Sequence, residues 1–240
     1  MIIAKKPSGK YVAWIDIMGS GMLMKTSIYK IRVATEKLHS AIQFAATDKV
    51  SCFPMNDGAF LVSSEYFAIR RCLVSVYREL NEHNKALILK SFNTDSLSNA
   101  YESLEKNTIK ATNVAQLVLV RSAVAYGPTV SSLPEEDPSL EKYGRVVLGP
   151  AVSNAYSSEA FAGPFGIFVH ESARMHGELR FSQVFMRYGP RNNVLWNEIA
   201  EVLKIYFKIA GKFPAELNYN LDRQREHQAL SREYFRNPEI

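Results

Sequence analysis

The sequence predicts one α+β domain built on a sheet that contains antiparallel strands. Three observations carry this. Apolar runs of strand length alternate with longer segments of helical period, in the order β-α-ββ-α-β-α-β. An Asn-Asp-Gly turn joins two short apolar runs as a hairpin. Finally, 47% hydrophobic and 22% charged residues over 240 positions are the composition of a chain that buries a full core.

Tyr11 to Met18 (YVAWIDIM) is apolar with β-branched and aromatic residues on both sides, a buried strand interrupted by Asp16. After Gly19-Ser20-Gly21, a single long segment with Ile28, Ile31, Leu38, Ile42 and Ala45 at helical spacing reads as an amphipathic helix. Val50 to Phe53, the turn Pro54 to Gly58, and Ala59 to Ser63 read as strand, turn, strand, because Asn-Asp-Gly supplies the left-handed conformations a hairpin needs. Tyr66, Ile69, Leu73, Tyr77 and Leu80 then share one helical face. Residues 91–115 are polar and read as a short helix within a loop, and Gln116 to Tyr126 as a strand closed by Gly127-Pro128. Ser131 to Leu140, with two prolines and three acids, is the expected mobile connection. A helix from Ala151 to Ala160, a strand Ile167 to Val169, a helix Val194 to Ala210 and a polar helical tail after Ala215 complete the chain, with no internal repeat.

The MIIAKKPSGK opening lacks the apolar stretch of a signal peptide, and no apolar run approaches the ~20 residues of a membrane span. Cys52 and Cys72 are too few for a disulfide framework. The expectation is a soluble, cytoplasmic protein. A net charge of +5 is compatible with polyanion partners but shows no basic stripe interleaved with aromatics, which argues against nucleic acid.

The acids carry the chemistry. An ionised carboxylate inside a strand is costly unless it is paired or bound to a cation, and no basic residue lies within five positions of Asp16 in the strand. Asp57 sits at the hairpin tip. If the hairpin lies beside the first strand, the two acids converge as a hard-oxygen site for Mg²⁺ or Mn²⁺, which usually also take substrate phosphates. Asp57 as plain turn chemistry, and Asp16 as a hydrogen-bonded structural acid, are the alternative readings. Gly19 and Gly58 follow the two acids and would let phosphates approach the backbone.

YVAWIDIMGSG (Tyr11 to Gly21) resembles the opening strand of class III nucleotidyl cyclases. FPMNDGAFLV (Phe53 to Val62) is similar to their metal-binding hairpin, VRSAVAYG (Val120 to Gly127) to their later strand, and LGPAVSNAYSSE (Leu148 to Glu159) to the Gly-led helix after it. The blocks occur in family order across most of residues 11–170, and the short form most resembles the bacterial pyrimidine cyclases of Pycsar anti-phage systems. The resemblance implies a ferredoxin-like sheet with packed helices and a homodimer with shared active sites. It makes Asp16 and Asp57, with the Ile17 carbonyl, ligands of two divalent metals, Mg²⁺ or Mn²⁺. Gly19, Ser20 and Gly21 then offer N–H groups to phosphates at a helix start.

Two departures from the family pattern bear on specificity and catalysis. Phe53 and Val146 stand where purine-specific members carry base-reading Lys and Asp, and neither can read a purine edge by side-chain hydrogen bonds, which favours UTP or CTP. Ser153 and Ser157 stand where the family has its transition-state Asn and Arg. Asn154 in a shifted register, and Arg145 or Arg121 as the cation, are the replacements the sequence offers. Tyr156 is a further candidate contact. His170 reads as structural, since the histidines show no metal-ligand spacing.

The expectation is a catalytic domain over residues 1–190 and a helical extension over 191–240 packed on it, its last residues a solvated helix or dimer arm. The enzyme would convert UTP or CTP to the 3′,5′-cyclic monophosphate, a second messenger for an anti-phage effector. A degenerate cyclase-like dimer that only binds nucleotide is the alternative.

Overall fold

The computed structural model describes residues 8–105, 116–132, 146–176, 185–186, 193–213 and 220–240. Four strands make the centre: β1 (Ser8–Ile17), β2 (Ser51–Pro54), β3 (Gly58–Ser63) and β4 (Val120–Ser131). They lie in the order β2-β3-β1-β4, every pair antiparallel. The far edge of β4 is shared by β5 (Val147–Leu148), antiparallel at one end, and β6 (Ile167–Val169), parallel at the other.

Two helical crossovers complete the ferredoxin-like unit. Between β1 and β2 run α1 (Ser20–Thr26) and α2 (Ile28–Ala45); between β3 and β4 run α3 (Tyr66–Phe92) and α4 (Leu97–Glu105). The sequence expects one long helix after Gly21, but the chain breaks it at Ser27. That residue is extended, and its hydroxyl accepts from Lys30 N–H as the cap of α2. After β5 come α5 (Pro150–Ser158) and a 3₁₀ turn (Glu159–Phe161), so the expected helix to Ala160 ends two residues early. Then follow α6 (Glu171–Arg174), α7 (Val194–Lys212) and α8 (Leu221–Phe235).

β1 shows why its sequence is apolar without alternation: both faces are covered. Tyr11, Ala13, Ile15 and Ile17 join the main core with α2, α3 and α7, while Val12 and Trp14 pack on the opposite face with Phe53, Phe60, Ala125 and the small residues Ala151 and Ala155 of α5. Asp16 is the next residue on this second face. α4 closes a third cluster against α3 and α7 through Ala100, Leu104, Ile88, Val202, Ile205 and Ile209.

β4 starts later than the sequence suggests and runs on through Gly127-Pro128. Its entry is fixed by Asn84 of α3, whose amide donates to Val118 O (2.9 Å) and whose oxygen accepts from Val118 N–H (2.8 Å). Pro128 continues the strand opposite Gly9 of β1. Of the expected mobile connection, Ser131 and Ser132 are buried; residues 133–140 lie outside the described residues. The tail is not a solvated helix. α8 buries Gln224, His227, Ser231, Tyr234 and Phe235, and Tyr234 stacks on Trp196 of α7. Among the described residues no helix is long and apolar enough to cross a membrane.

Candidate active site

The hairpin does lie beside the first strand. β3 pairs with β1 so that Asp16 stands opposite Gly58, and Ile17 N–H donates to the Asp57 carbonyl at 3.1 Å. The strand-end acid and the turn acid are thereby brought to one end of the sheet, both half-buried. Met55 N–H closes the turn on the Gly58 carbonyl (2.9 Å), which also accepts from His39 Nε2–H of α2 (3.2 Å). A side chain at Gly58 would run into the Ile15 carbonyl and meet the Trp14 ring at 2.6 Å. The glycine is therefore explained by close packing of the hairpin on β1 rather than by room for phosphate. Gly19 differs: it is left-handed (φ 77°), exposed, and open on its Cβ side.

No basic residue is near Asp16 along its strand, but one stands across from it. Arg121 of β4 is its register partner. Arg121 is nonetheless committed elsewhere: its Nη2 donates to Glu159 Oε1 at 2.8 Å, and its Nε pairs closely with Oε2. Both side chains are mostly buried, 15% and 14% exposed. The site thus holds three carboxylates, Asp16, Asp57 and Glu159, around one guanidinium.

Burial pushes the Asp16 carboxyl up to about 7, with the charges of Glu159 and Asp57 adding to the rise and Arg121 opposing it. Burial also raises Glu159, against the pull of Arg121. His227 of α8 is held down to about 4 by burial and by the Arg121 and Arg223 charges. The two raised carboxyls mark acids short of compensating positive charge, whereas the lowered His227 reports the cations on its own side. Two hard-oxygen carboxylates and main-chain carbonyls fit Mg²⁺ or Mn²⁺ only with phosphate or water oxygens completing the shell. Among the described residues no group of three His, Cys, Asp or Glu side chains is arranged to hold a metal ion.

The other sequence candidates scatter. Ser20 is buried and Gly21 exposed in the first turn of α1, just past the end of β1. Phe53 is 1% exposed and lies in the apolar cluster with Trp14 and Phe60. Ser153 and Ser157 are exposed on α5, and Asn154 is half-buried. Ser157 donates to the Asn154 carbonyl, and no hydrogen bond or ion pair among the described residues joins these three side chains to Asp16 or Asp57. Tyr156 is exposed beside Trp14, ring centres 5.5 Å apart. Val146 is tied to Ser132 through both its N–H and its carbonyl. Arg145 lies outside the described residues. His170 is structural: its Nδ1 accepts from Ser172 N–H as the cap of α6.

Sequence reasoning assigned no role to Glu159, His39 or the Trp14 contact. The only signal for Glu159 was an acid closing a helix of small residues, and its relevance depends on the β1–β4 register.

No protein-family model and no curated protein matches the chain. Solved structures do resemble it. The guanylyl cyclase domain of the RhoGC fusion protein from the aquatic fungus Blastocladiella emersonii is 14% identical, covering 72% of this chain and 86% of that one, with a TM-score of 0.45. Adenylate cyclase from Trypanosoma brucei is 15% identical over 72% and 78%, TM-score 0.46. An adenylate/guanylate cyclase/hydrolase from Silicibacter pomeroyi is 17% identical over 75% and 85%, TM-score 0.44.

Proposed function

We propose that the protein is a nucleotidyl cyclase that converts a pyrimidine nucleoside triphosphate, UTP or CTP, to its 3′,5′-cyclic monophosphate and pyrophosphate. The observation that carries this is the convergence of Asp16 and Asp57, tied by the bond from Ile17 N–H to the Asp57 carbonyl, beside the guanidinium of Arg121. In the reaction, the substrate's 3′-hydroxyl oxygen bonds to its own α-phosphorus, the bond to the bridging oxygen breaks, and pyrophosphate leaves.

Asp16 and Asp57, with the Ile17 carbonyl, would hold two divalent cations. Bound there, Mg²⁺ or Mn²⁺ lowers the pKa of the attacking hydroxyl and neutralises triphosphate charge. The chain's own part is positioning. β1 and the β2–β3 hairpin fix the two carboxylates relative to each other, while Arg121, across from Asp16 on β4, is itself paired with Glu159. Phe53 and Val146 offer no side-chain donor or acceptor to a purine edge, which supports a smaller base. The exposed Ser153 and half-buried Asn154 on α5 suit contacts with a second copy, so the reading includes a homodimer with shared sites. Residues 1–190 would carry the chemistry and 191–240 brace it. The product would act on a cyclic-nucleotide-sensing effector in anti-phage defence.

One observation favours a second reading. Neither Ser153 nor Ser157 carries charge, which suits a cyclase-like dimer that binds nucleotide without turning it over. Purified protein incubated with each of the four nucleoside triphosphates and Mn²⁺, with products read by mass spectrometry, separates the two. Cyclic UMP or CMP is expected, and Asp57→Ala is expected to abolish it. Nucleotide-dependent thermal stabilisation with no cyclic product from any triphosphate would leave only the binding reading.

A further inference from the structure

Asp16 and Arg121 stand directly opposite each other on neighbouring strands, on the same face of the sheet. Side chains so placed have Cβ atoms about 5 Å apart, and opposite charges there ordinarily pair. Here they do not. Arg121 turns both Nε and Nη2 to Glu159, and among the described residues Asp16 has no ion-pair partner. Burying a third carboxylate is an expensive way to satisfy an arginine that already faces an acid. The expense is explained if Asp16 has to be kept from that arginine.

We propose that Glu159 is a positioning residue that draws Arg121 away from Asp16, so that the Asp16 carboxylate stays available to a divalent cation. This deepens the cyclase reading and rests on it for the identity of the cation site. The geometry suits the task because Glu159 sits on a turn fixed from several sides. The turn follows α5, which is packed on β1 and β4 through Ala151 and Ala155. Phe161 of the same turn contacts Phe168 of β6 (5.3 Å between ring centres). Just beyond it, a side chain at Gly163 would stand 2.9 Å from Leu230 Cβ and 3.0 Å from Ser231 N, so α8 is seated against this stretch of chain. A carboxylate on such a turn reaches Arg121 from outside the sheet and holds it by two nitrogens, which fixes orientation as well as distance.

The test is Mn²⁺ binding by the full chain at fixed pH, followed through the electron paramagnetic resonance signal of free Mn²⁺, with folding checked by circular dichroism. Glu159→Gln frees Arg121 to pair with Asp16 and is expected to weaken Mn²⁺ binding about tenfold or more, as loss of an outer partner of a metal ligand typically does. The double variant Arg121→Gln/Glu159→Gln has nothing left to keep away and is expected to recover most of that loss. If Glu159→Gln does not fold, Arg121→Gln alone decides, and its Mn²⁺ binding is expected to be no weaker than wild type. Wild-type affinity in Glu159→Gln, no recovery in the double variant, weaker binding in Arg121→Gln, or no Mn²⁺ binding by wild type would each overturn the proposal. The cyclase reading fails separately: the Mn²⁺ pattern can hold in a protein that makes no cyclic product, and cyclic product can form while Glu159→Gln binds Mn²⁺ normally.

Discussion

Asp16 stores free energy that pH can release. Its carboxyl ordinarily titrates at 3.8 and here at about 7, chiefly because it is buried and then because Glu159 and Asp57 lie close. The folded state therefore binds a proton more tightly than the unfolded chain, and stability contributed by this residue falls as pH rises from about 4 to about 7 and is flat above. His227 acts in the opposite sense. Held down to about 4 in the fold, it makes stability rise with pH up to its ordinary value of 6.5. The two slopes partly cancel in the wild type, so the difference between Asp16→Asn and wild type is the clean measure. In urea titrations with chelator present, the variant is expected to gain on wild type steadily between pH 4 and 7, by at most about 4 kcal/mol, and to hold that gain at higher pH. A difference that does not change with pH would show that Asp16 is not desolvated. The anomaly of Asp16 was legible in the sequence as an acid inside an apolar strand. Its environment was not, because Arg121 and Glu159 lie 105 and 143 positions further along the chain and reach it only through strand register and the return of α5.

The hairpin β2–β3 is where local sequence decides the site. Asn56-Asp57-Gly58 names the turn between two short apolar runs, so the hairpin was readable, whereas Phe60, Leu61 and Val62 are all apolar and only packing puts Leu61 on one face and the other two on the opposite one. What could not be read was the reason for the glycine. Gly58 lies under the Trp14 ring and against the Ile15 carbonyl, so Gly58→Ala has to push the hairpin off β1. The expected cost is about 1–3 kcal/mol, the range for overpacking, measured by urea denaturation. Because Gly58 neighbours Asp57, the same substitution is expected to weaken Mn²⁺ binding. Other element-level differences have equally local causes that periodicity does not register: a serine cap that splits the first helix at Ser27, and a strand edge that accepts Pro128 without a break. Hydrophobic period reports which face is buried, not where hydrogen bonding chooses to stop.

Across the whole molecule, the helices after residue 193 share a buried core with the strand that carries Asp16. Trp196, Ile199, Leu203, Tyr234 and Phe235 belong to the same apolar cluster as Ile15 and Ile17 of β1. Tyr234 is fully buried, stacks on Trp196 with ring centres 5.4 Å apart, and donates its hydroxyl to the Met186 carbonyl. The polar composition of the last helix conceals this, since one narrow face with Tyr234 and Phe235 does the packing while Arg223, Arg225 and Glu226 face solvent. If 191–240 were a separately folding extension, Tyr234→Ala would melt it alone and leave the sheet intact. The shared cluster requires otherwise: the substitution opens a cavity against α7 and strands the Met186 carbonyl, a loss of about 3–5 kcal/mol felt by the whole chain. Thermal unfolding followed by near-ultraviolet circular dichroism, which reports Trp14 on the sheet as well as Trp196, is expected to show one cooperative transition moved to lower temperature. Two transitions, with only the first displaced, would show instead that α7 and α8 fold apart from the sheet, and Asp16 would then keep its environment when the tail is lost.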